Sequence, residues 1–201
     1  EVETQADGTR IITLTGEAEL KPQTIEVPGD PSSAAFFLVA ALITPGSDVV
    51  IENVGLNPTR AGLVDVLIAM GGQIEKLDER DVGGEPVADL HVRHSALMGI
   101  EVDPAVAPSM IDEFPALFVA ASVAEGVTTT SGLDELRVKE SDRLAVMASA
   151  LTAAGATLEE REDGLVITGT CSLHEKFHDN QEGRGALGES CATAYLIRLM
   201  H

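Results

Sequence analysis

Thr24-Ile25-Glu26-Val27 recurs further along the chain as Gly99-Ile100-Glu101-Val102, and the same series of sequence patterns follows both segments. A run of small and apolar residues follows each copy, from Ser33 to Ile43 and from Pro115 to Val123. A glycine and a β-branched stretch follow each run, which is typical of a helix that leads back into a strand. The chain therefore contains an internal repeat. An internal repeat indicates the architecture more directly than any single motif does.

Both copies continue with a second helix, a short strand and a closing strand. The second helices are predicted from Thr59 to Met70 and from Ser141 to Ala154, and each is followed by a glycine that suits a helix C-terminal cap. Apolar residues recur at helical spacing, at Leu63, Val66, Leu67 and Met70 in the first helix and at Leu144, Met147, Ala148 and Leu151 in the second. The repeating unit is thus β-α-β-α-β-β, with a period of roughly 75 to 85 residues.

The predicted fold is α/β, with two full copies of this unit and the end of a third. The full copies cover about residues 21–95 and 96–170, and residues 1–20 are interpreted as the end of an earlier copy that includes a strand from Ile11 to Thr15. The periodic pattern stops near residue 170. Residues 171–201 are therefore predicted to be a poorly packed tail outside the domain.

The chain of 201 residues is strongly acidic, with a formal net charge of −20. That charge argues against nucleic acid and anionic membrane surfaces as partners, because both require a positive surface. Apolar residues make up 44 % of the chain, enough for a sizeable core, and only 3 % of residues are aromatic. Any site for an anionic substrate would need a local group of cations.

Cysteine and histidine usage predicts neither a disulfide framework nor a metal site. The two cysteines are Cys171 and Cys191, and Cys171 with His174 and His178 lacks a fourth ligand at suitable spacing. The first residues show no basic segment followed by an apolar run, and no apolar stretch of about 18 residues occurs, so neither a signal peptide nor a membrane span is predicted. These features favour the cytoplasm.

Arg137-Val138-Lys139-Glu140-Ser141-Asp142-Arg143-Leu144 marks the main departure of the second copy from the first. On a helix, Lys139 and Arg143 would share one face, and Glu140 would lie at the end of the apolar stripe. A partly desolvated carboxylate has a raised pKa and suits a proton donor. The segment therefore predicts a phosphate or carboxylate site with proton chemistry beside it. The alternative is a solvated helix start with local ion pairs.

Asp112 is the second departure, since it falls opposite Ser32 when the apolar runs are aligned. It is a candidate helix N-cap, and also a candidate ligand-binding carboxylate at a strand-to-helix loop, and the two roles are compatible. Asp30-Pro31-Ser32-Ser33 is interpreted as a cap and turn, with a direct substrate role as the alternative.

Four segments together resemble the EPSP synthases (5-enolpyruvylshikimate-3-phosphate synthases). They are Val27-Pro28-Gly29-Asp30-Pro31-Ser32-Ser33-Ala34, Asn57-Pro58-Thr59-Arg60, Ala107-Pro108-Ser109-Met110-Ile111-Asp112-Glu113 and Leu136-Arg137-Val138-Lys139-Glu140-Ser141-Asp142-Arg143. The last segment is highly specific. The sequences of the other three are most similar to the class II branch, some of whose members tolerate glyphosate. The resemblance extends to about residue 170.

This resemblance implies a fold of two similar inside-out α/β domains, each made of three such units, with the active site between them. It also implies a reaction of the shikimate pathway to aromatic amino acids. The 5-hydroxyl of shikimate 3-phosphate attacks C2 of phosphoenolpyruvate, C3 gains a proton, and the intermediate then loses phosphate. No metal or organic cofactor takes part.

The resemblance also implies roles for four residues. Asp112 would bind shikimate 3-phosphate and accept a proton, and Lys139 would contact shikimate 3-phosphate. Glu140 would move protons at C3, and Arg143 would bind phosphoenolpyruvate. Other anion-binding residues of the family fall in sequence absent here, including an Asp-His-Arg motif that occurs nowhere in the chain. The fragment is therefore expected to be inactive alone and to need the missing half of the enzyme.

Two alternatives remain open at the level of sequence. One is a UDP-N-acetylglucosamine enolpyruvyl transferase, against which the Lys139-Glu140-Ser141-Asp142-Arg143 motif argues. The other is a non-catalytic ligand-binding or assembly half that pairs with a complementary chain.

Overall fold

The computed structural model describes residues 1–169, apart from positions 18, 20, 23 and 25. Its α-helices and strands follow in the order β1 (Val2–Thr4), β2 (Arg10–Ile12), α1 (Pro31–Ile43), β3 (Asp48–Gly55), α2 (Gly62–Ala69), β4 (Gln73–Val82), β5 (Glu85–Arg93), α3 (Phe114–Val123), β6 (Gly126–Thr129), α4 (Arg143–Ala153), β7 (Thr157–Arg161) and β8 (Gly164–Gly169). Short 3-10 turns cover Pro104–Ser109, Ile111–Glu113 and Asp134–Arg137. The predicted tail at residues 171–201 lies outside the described residues.

The internal repeat appears as two sheets with the same topology. The first has the strand order β3-β5-β4 and the second β6-β8-β7, and every neighbouring pair is antiparallel. Parallel bridges add the segment before each first helix, through Gly29 to Val54 in the first sheet and through Glu101 to Thr129 in the second. Each unit therefore follows the predicted order, with its opening strand reduced to isolated bridges, and the predicted α/β fold is confirmed.

The opening segments differ from the prediction, because neither forms a full strand in the part of the chain described. Gly29 makes the contact in the first unit, where its N–H donates to the carbonyl of Asn53 at 2.6 Å. Asn53 has a φ of 58° within a bulge of β3, and a Cβ atom at Gly29 would lie 2.9 Å from its carbonyl oxygen. The bulge and the close approach limit parallel pairing to one bridge.

The helices lie inside and the strands outside. α1 and α3 pack against each other, and α3 is buried along almost its whole length. β3 is exposed along most of its length, including Val49 and Val50. This arrangement explains why the first helix of each unit is apolar on every side, whereas a surface helix carries a polar face.

β1 and β2 form an exposed hairpin in which Val2 pairs with Ile12. The sequence predicted a strand from Ile11 to Thr15, and the observed strand instead ends at Ile12. The assignment of this hairpin to an earlier copy of the unit stays a prediction.

The second helix of each unit begins later than predicted. α2 begins at Gly62 rather than Thr59, and α4 begins at Arg143 rather than Ser141. Before α2 the chain forms a turn in which the Asn57 carboxamide oxygen accepts from the Thr59 N–H at 3.0 Å, and before α4 the Asp142 carboxylate caps the helix. Such local bonds compete with the helical hydrogen bonds and delay the first turn.

Candidate active site

The two apolar helices correspond residue by residue, which places Asp112 opposite Ser32. Both helices end at equivalent residues, Ile43 and Val123, and the 3-10 turn that begins at Ile111 leads straight into α3. Asp30 caps α1 by accepting from the Ser33 N–H at 3.0 Å. The cap predicted for Asp112 is wrong, because its carboxylate caps no helix and lies within the turn.

Asp112 instead contacts the start of the second helix in its own unit. Arg143, the first residue of α4, donates from Nη1 to Asp112 Oδ1 at 2.9 Å. The same guanidinium donates from Nε and Nη2 to Glu140 Oε1, at 3.0 and 2.7 Å. Arg143 therefore bridges two carboxylates. Both hydrogen bonds raise the pKa of its guanidinium, and the bond to Glu140 has the larger effect.

Lys139 and Glu140 do not lie on a helix, which corrects the geometric basis of the prediction. Both occupy a bend before Asp142, the N-cap of α4. Lys139 pairs with Glu135 through its Nζ atom, and this hydrogen bond, supported by the charge of nearby Asp112, raises the pKa of Lys139. The loop and its ion pairs, not a shared helical face, bring these charges to one place.

Glu140 is charged and exposed, contrary to the expectation of a desolvated acid. Its side chain is 69 % exposed, and its pKa is lowered by its own backbone N–H first and then by Arg143. The apolar stripe begins only after Glu140, because the helix starts three residues later. In this state the carboxylate suits a base rather than a proton donor.

A second polar network lies beside the first and was not predicted. Ser32 donates to the carboxylate of Glu113, which is only 5 % exposed, and accepts from Arg60 Nη2 at 2.9 Å. Arg60 also reaches Asp30 Oδ1 at 3.2 Å. The signal was present in the repeat, since Arg60 precedes α2 much as Arg143 begins α4.

Lys139 and Arg143 lie beside the carboxylates of Asp112 and Glu140. An anionic substrate would need the cations for binding, and a reaction with proton transfer would need the carboxylates. Among the residues described, no group of three His, Cys, Asp and Glu side chains is placed to hold a metal ion. Cys171, His174 and His178 lie outside that part of the chain. The described helices include none that is long and apolar enough to cross a membrane.

Asp142 makes the start of α4 sensitive to acid. The bond that its carboxylate accepts from the Ala145 N–H at 2.9 Å, joined by the Arg137 guanidinium, lowers the pKa of Asp142. The unfolded chain then binds the proton more tightly, so this stabilisation is present above about pH 4 and is lost as the pH falls through the folded-state pKa. We expect Asp142→Asn to lower the free energy of unfolding at neutral pH, and urea titrations should show the difference from wild type shrinking toward acid pH. An equal difference at every pH would contradict this.

Comparison with known proteins identifies relatives over most of the chain. The family model described as EPSP synthase (3-phosphoshikimate 1-carboxyvinyltransferase) matches residues 1–179. A protein of Sphingopyxis alaskensis named 3-phosphoshikimate 1-carboxyvinyltransferase is 76 % identical over 169 residues, which cover 84 % of this chain and 38 % of the relative. A protein of the same name from Zymomonas mobilis is 62 % identical over 188 residues, covering 94 % of this chain and 40 % of the relative.

The chain is also similar to a solved structure of this family. The EPSP synthase of Acinetobacter baumannii superimposes with a TM-score of 0.78 at 47 % sequence identity, covering 86 % of this chain and 38 % of that one. The chain thus spans well under half the length of the proteins it matches.

Proposed function

This chain belongs to the EPSP synthase family, and from that membership we propose that it forms one part of an enzyme that transfers the enolpyruvyl group of phosphoenolpyruvate to the 5-hydroxyl of shikimate 3-phosphate. The supporting observation is the bridge that Arg143 makes between Asp112 and Glu140, beside Lys139. In this proposal the chain acts together with the rest of the enzyme. The enzyme belongs to the shikimate pathway and is located in the cytoplasm. The relatives' names favour this substrate over a UDP-N-acetylglucosamine substrate.

Anion binding is the first role we assign to the site. Arg143 has five N–H donors, and three bonds to carboxylates use its Nε, Nη1 and Nη2 atoms here. Phosphoenolpyruvate, with its phosphate and carboxylate, would compete for this guanidinium or share it. Lys139 has an ammonium that pairs with exposed Glu135, so it can turn to shikimate 3-phosphate at little cost.

Proton transfer follows from the same geometry. An anionic substrate that takes Arg143 removes a partner that lowers the pKa of Glu140 and places negative charge beside that carboxylate. The pKa of Glu140 then rises, so the group can take up a proton and deliver it to C3. Asp112 would accept the proton of the 5-hydroxyl as its oxygen bonds to C2. In the second step C3 returns a proton to Glu140, the double bond between C2 and C3 forms, and the bond from C2 to the phosphate oxygen breaks with release of phosphate.

The net charge of the chain makes the rest of the enzyme necessary in this proposal. With a formal charge of −20, the chain repels the two anionic substrates, and the described site already neutralises its cations with carboxylates. Further cations would have to come from the remaining sequence of the enzyme.

The test replaces the corresponding segment of the Sphingopyxis alaskensis relative with residues 1–169 of this chain. We expect the chimera to release phosphate from the two substrates at a rate near that of the relative, and the isolated chain to show no turnover, because loss of several charged contacts to one transition state removes many powers of ten in rate. Initial rates of phosphate release measure both.

Lys139→Ala in the chimera is the control, and it should lower the rate sharply without loss of folding. A folded chimera without activity would support the alternative of a non-catalytic binding or assembly half. Turnover by the isolated chain above its own Lys139→Ala variant would show that the chain needs no partner.

A further inference from the structure

Arg137 is the most fully bonded side chain near the candidate site. Its guanidinium donates to the backbone carbonyls of Arg161 and Glu162, in the turn of the β7–β8 hairpin. It also donates from Nη1 to Asp142 Oδ2 at 2.9 Å and to Glu160 Oε1 at 3.0 Å. Four acceptors thus surround one side chain that is only 24 % exposed. Arg137 is not among the four residues for which the family resemblance implies a role with substrate.

These bonds fix both ends of the loop that carries Lys139 and Glu140. Arg137 itself, at the start of the loop, is held against the hairpin turn. Asp142, at its end, is held by the same guanidinium while its other oxygen caps α4 through the Ala145 N–H. One planar group therefore sets the distance and direction between the two ends of the loop.

The loop has no apolar anchor of its own. Leu136 before it and Leu144 after it are fully buried, whereas no residue between them is buried, and Val138 is 80 % exposed. Its conformation consequently depends on polar contacts.

The first unit shows what the fold requires at this position. There the Asn57 side chain donates from Nδ2 to Glu85 Oε2 at 2.8 Å, and the Leu56 N–H donates to the Pro86 carbonyl at 2.7 Å, so two bonds join the segment before α2 to the β4–β5 hairpin. Among the residues described, no arginine side chain joins these two segments of the first unit. In the second unit a guanidinium with four acceptors makes the connection, and only there does the following loop carry the lysine and glutamate of the candidate site.

We propose that Arg137 is a positioning residue that clamps the 138–142 loop between the β7–β8 turn and the N-cap of α4, and so holds Lys139 and Glu140 beside Asp112 and Arg143. The inference rests on the proposed function, because it assumes that this loop binds the anionic substrates. It predicts that the shape of the guanidinium matters and that its charge alone is insufficient.

The test uses the full 201-residue chain, labelled with ¹⁵N, as wild type, Arg137→Ala, Arg137→Lys and Arg161→Ala. The last is a matched control on the same hairpin, because the Arg161 side chain pairs only with Glu159 among the residues described, at 3.1 Å. Amide hydrogen exchange at residues 138–145 and titration with inorganic phosphate are measured at a temperature at which each variant is fully folded by circular dichroism.

We expect exchange at residues 138–145 to accelerate about tenfold or more in Arg137→Ala, and phosphate-induced shifts at residues 139–143 to weaken by about tenfold in affinity. Arg137→Lys should show most of both effects, because an ammonium cannot reach four acceptors, and it replaces the alanine variant if that chain does not fold. Arg161→Ala should resemble wild type. A merely structural role would lower the melting temperature and leave phosphate affinity unchanged.

Exchange and affinity equal to wild type in Arg137→Lys or Arg137→Ala would overturn the proposal. Absence of phosphate shifts at 139–143 in the wild type would instead count against the proposed function. In that case the exchange data still decide whether Arg137 orders the loop.

Discussion

Arg143→Ala is expected to lower kcat/KM of the chimeric enzyme by about 10²- to 10³-fold, the usual loss when one preorganised donor to transition-state charge is removed. The guanidinium is the only group in the described site that contacts both Asp112 and Glu140. Its removal would take away the anion-binding donor and also leave two carboxylates facing each other and the substrate. Initial rates of phosphate release at varied phosphoenolpyruvate concentration would measure the loss.

Arg60→Ala provides the matched control for this prediction. Arg60 occupies the comparable place in the first unit, where its Nη2 atom contacts Ser32 at 2.9 Å and Asp30 at 3.2 Å. It lies beside no counterpart of the Lys139-Glu140 pair, so its removal should change kcat/KM by less than about tenfold. Equal losses in the two variants, with unchanged circular dichroism, would show that the two helix starts are equivalent and that Arg143 has no special role.

The repeat made the architecture predictable, because strand and helix periods recur in the same order in both copies. The long apolar runs gave the inner helices, and the glycines gave the helix ends. The helix starts were predicted less well, since the side chains of Asn57 and Asp142 delay the first turn by hydrogen bonds that hydrophobic periodicity does not report. The opening strand of the first unit was shortened to one bridge by the bulge at Asn53, a backbone feature that no residue pattern indicated.

The proximity of the candidate site residues was predictable from the sequence, and their conformation was not. Comparison of the two copies singled out Asp112 and the Lys139-Glu140 pair, which the first copy lacks, and the same motif includes Arg143, whose counterpart is Arg60. The expected pKa of Glu140 was wrong because it assumed a helix under the residue, while the loop exposes the carboxylate and pairs it with Arg143. Arg137 belongs to the same motif, yet its bonds to the β7–β8 turn depend on a contact between distant parts of the sequence.

Phe118→Ala is expected to have the largest effect on stability, lowering the free energy of unfolding by about 3 to 5 kcal/mol. Phe118 is fully buried on α3, and its ring centroid lies 5.9 Å from that of Phe114. The chain has only five phenylalanines and no tryptophan, so one ring fills a large share of the inner layer. A loss of this size is a large part of the stability of an ordinary domain. Urea titration of the full chain, followed by circular dichroism, measures it.

Phe37→Ala is the control for Phe118→Ala, because it makes the same substitution at an exposed position. The residue lies on α1, the helix equivalent to α3, and it is 62 % exposed in the described chain, while its counterpart Leu117 is fully buried. The same ring removed from this surface should cost less than about 1 kcal/mol, because little apolar area returns to water and no cavity forms. Similar losses for both variants would mean that α3 is not the centre of an inner helical layer. A small loss at Phe37 and a large one at Phe118 would agree with a solvent-exposed side chain on α1 and a buried α3.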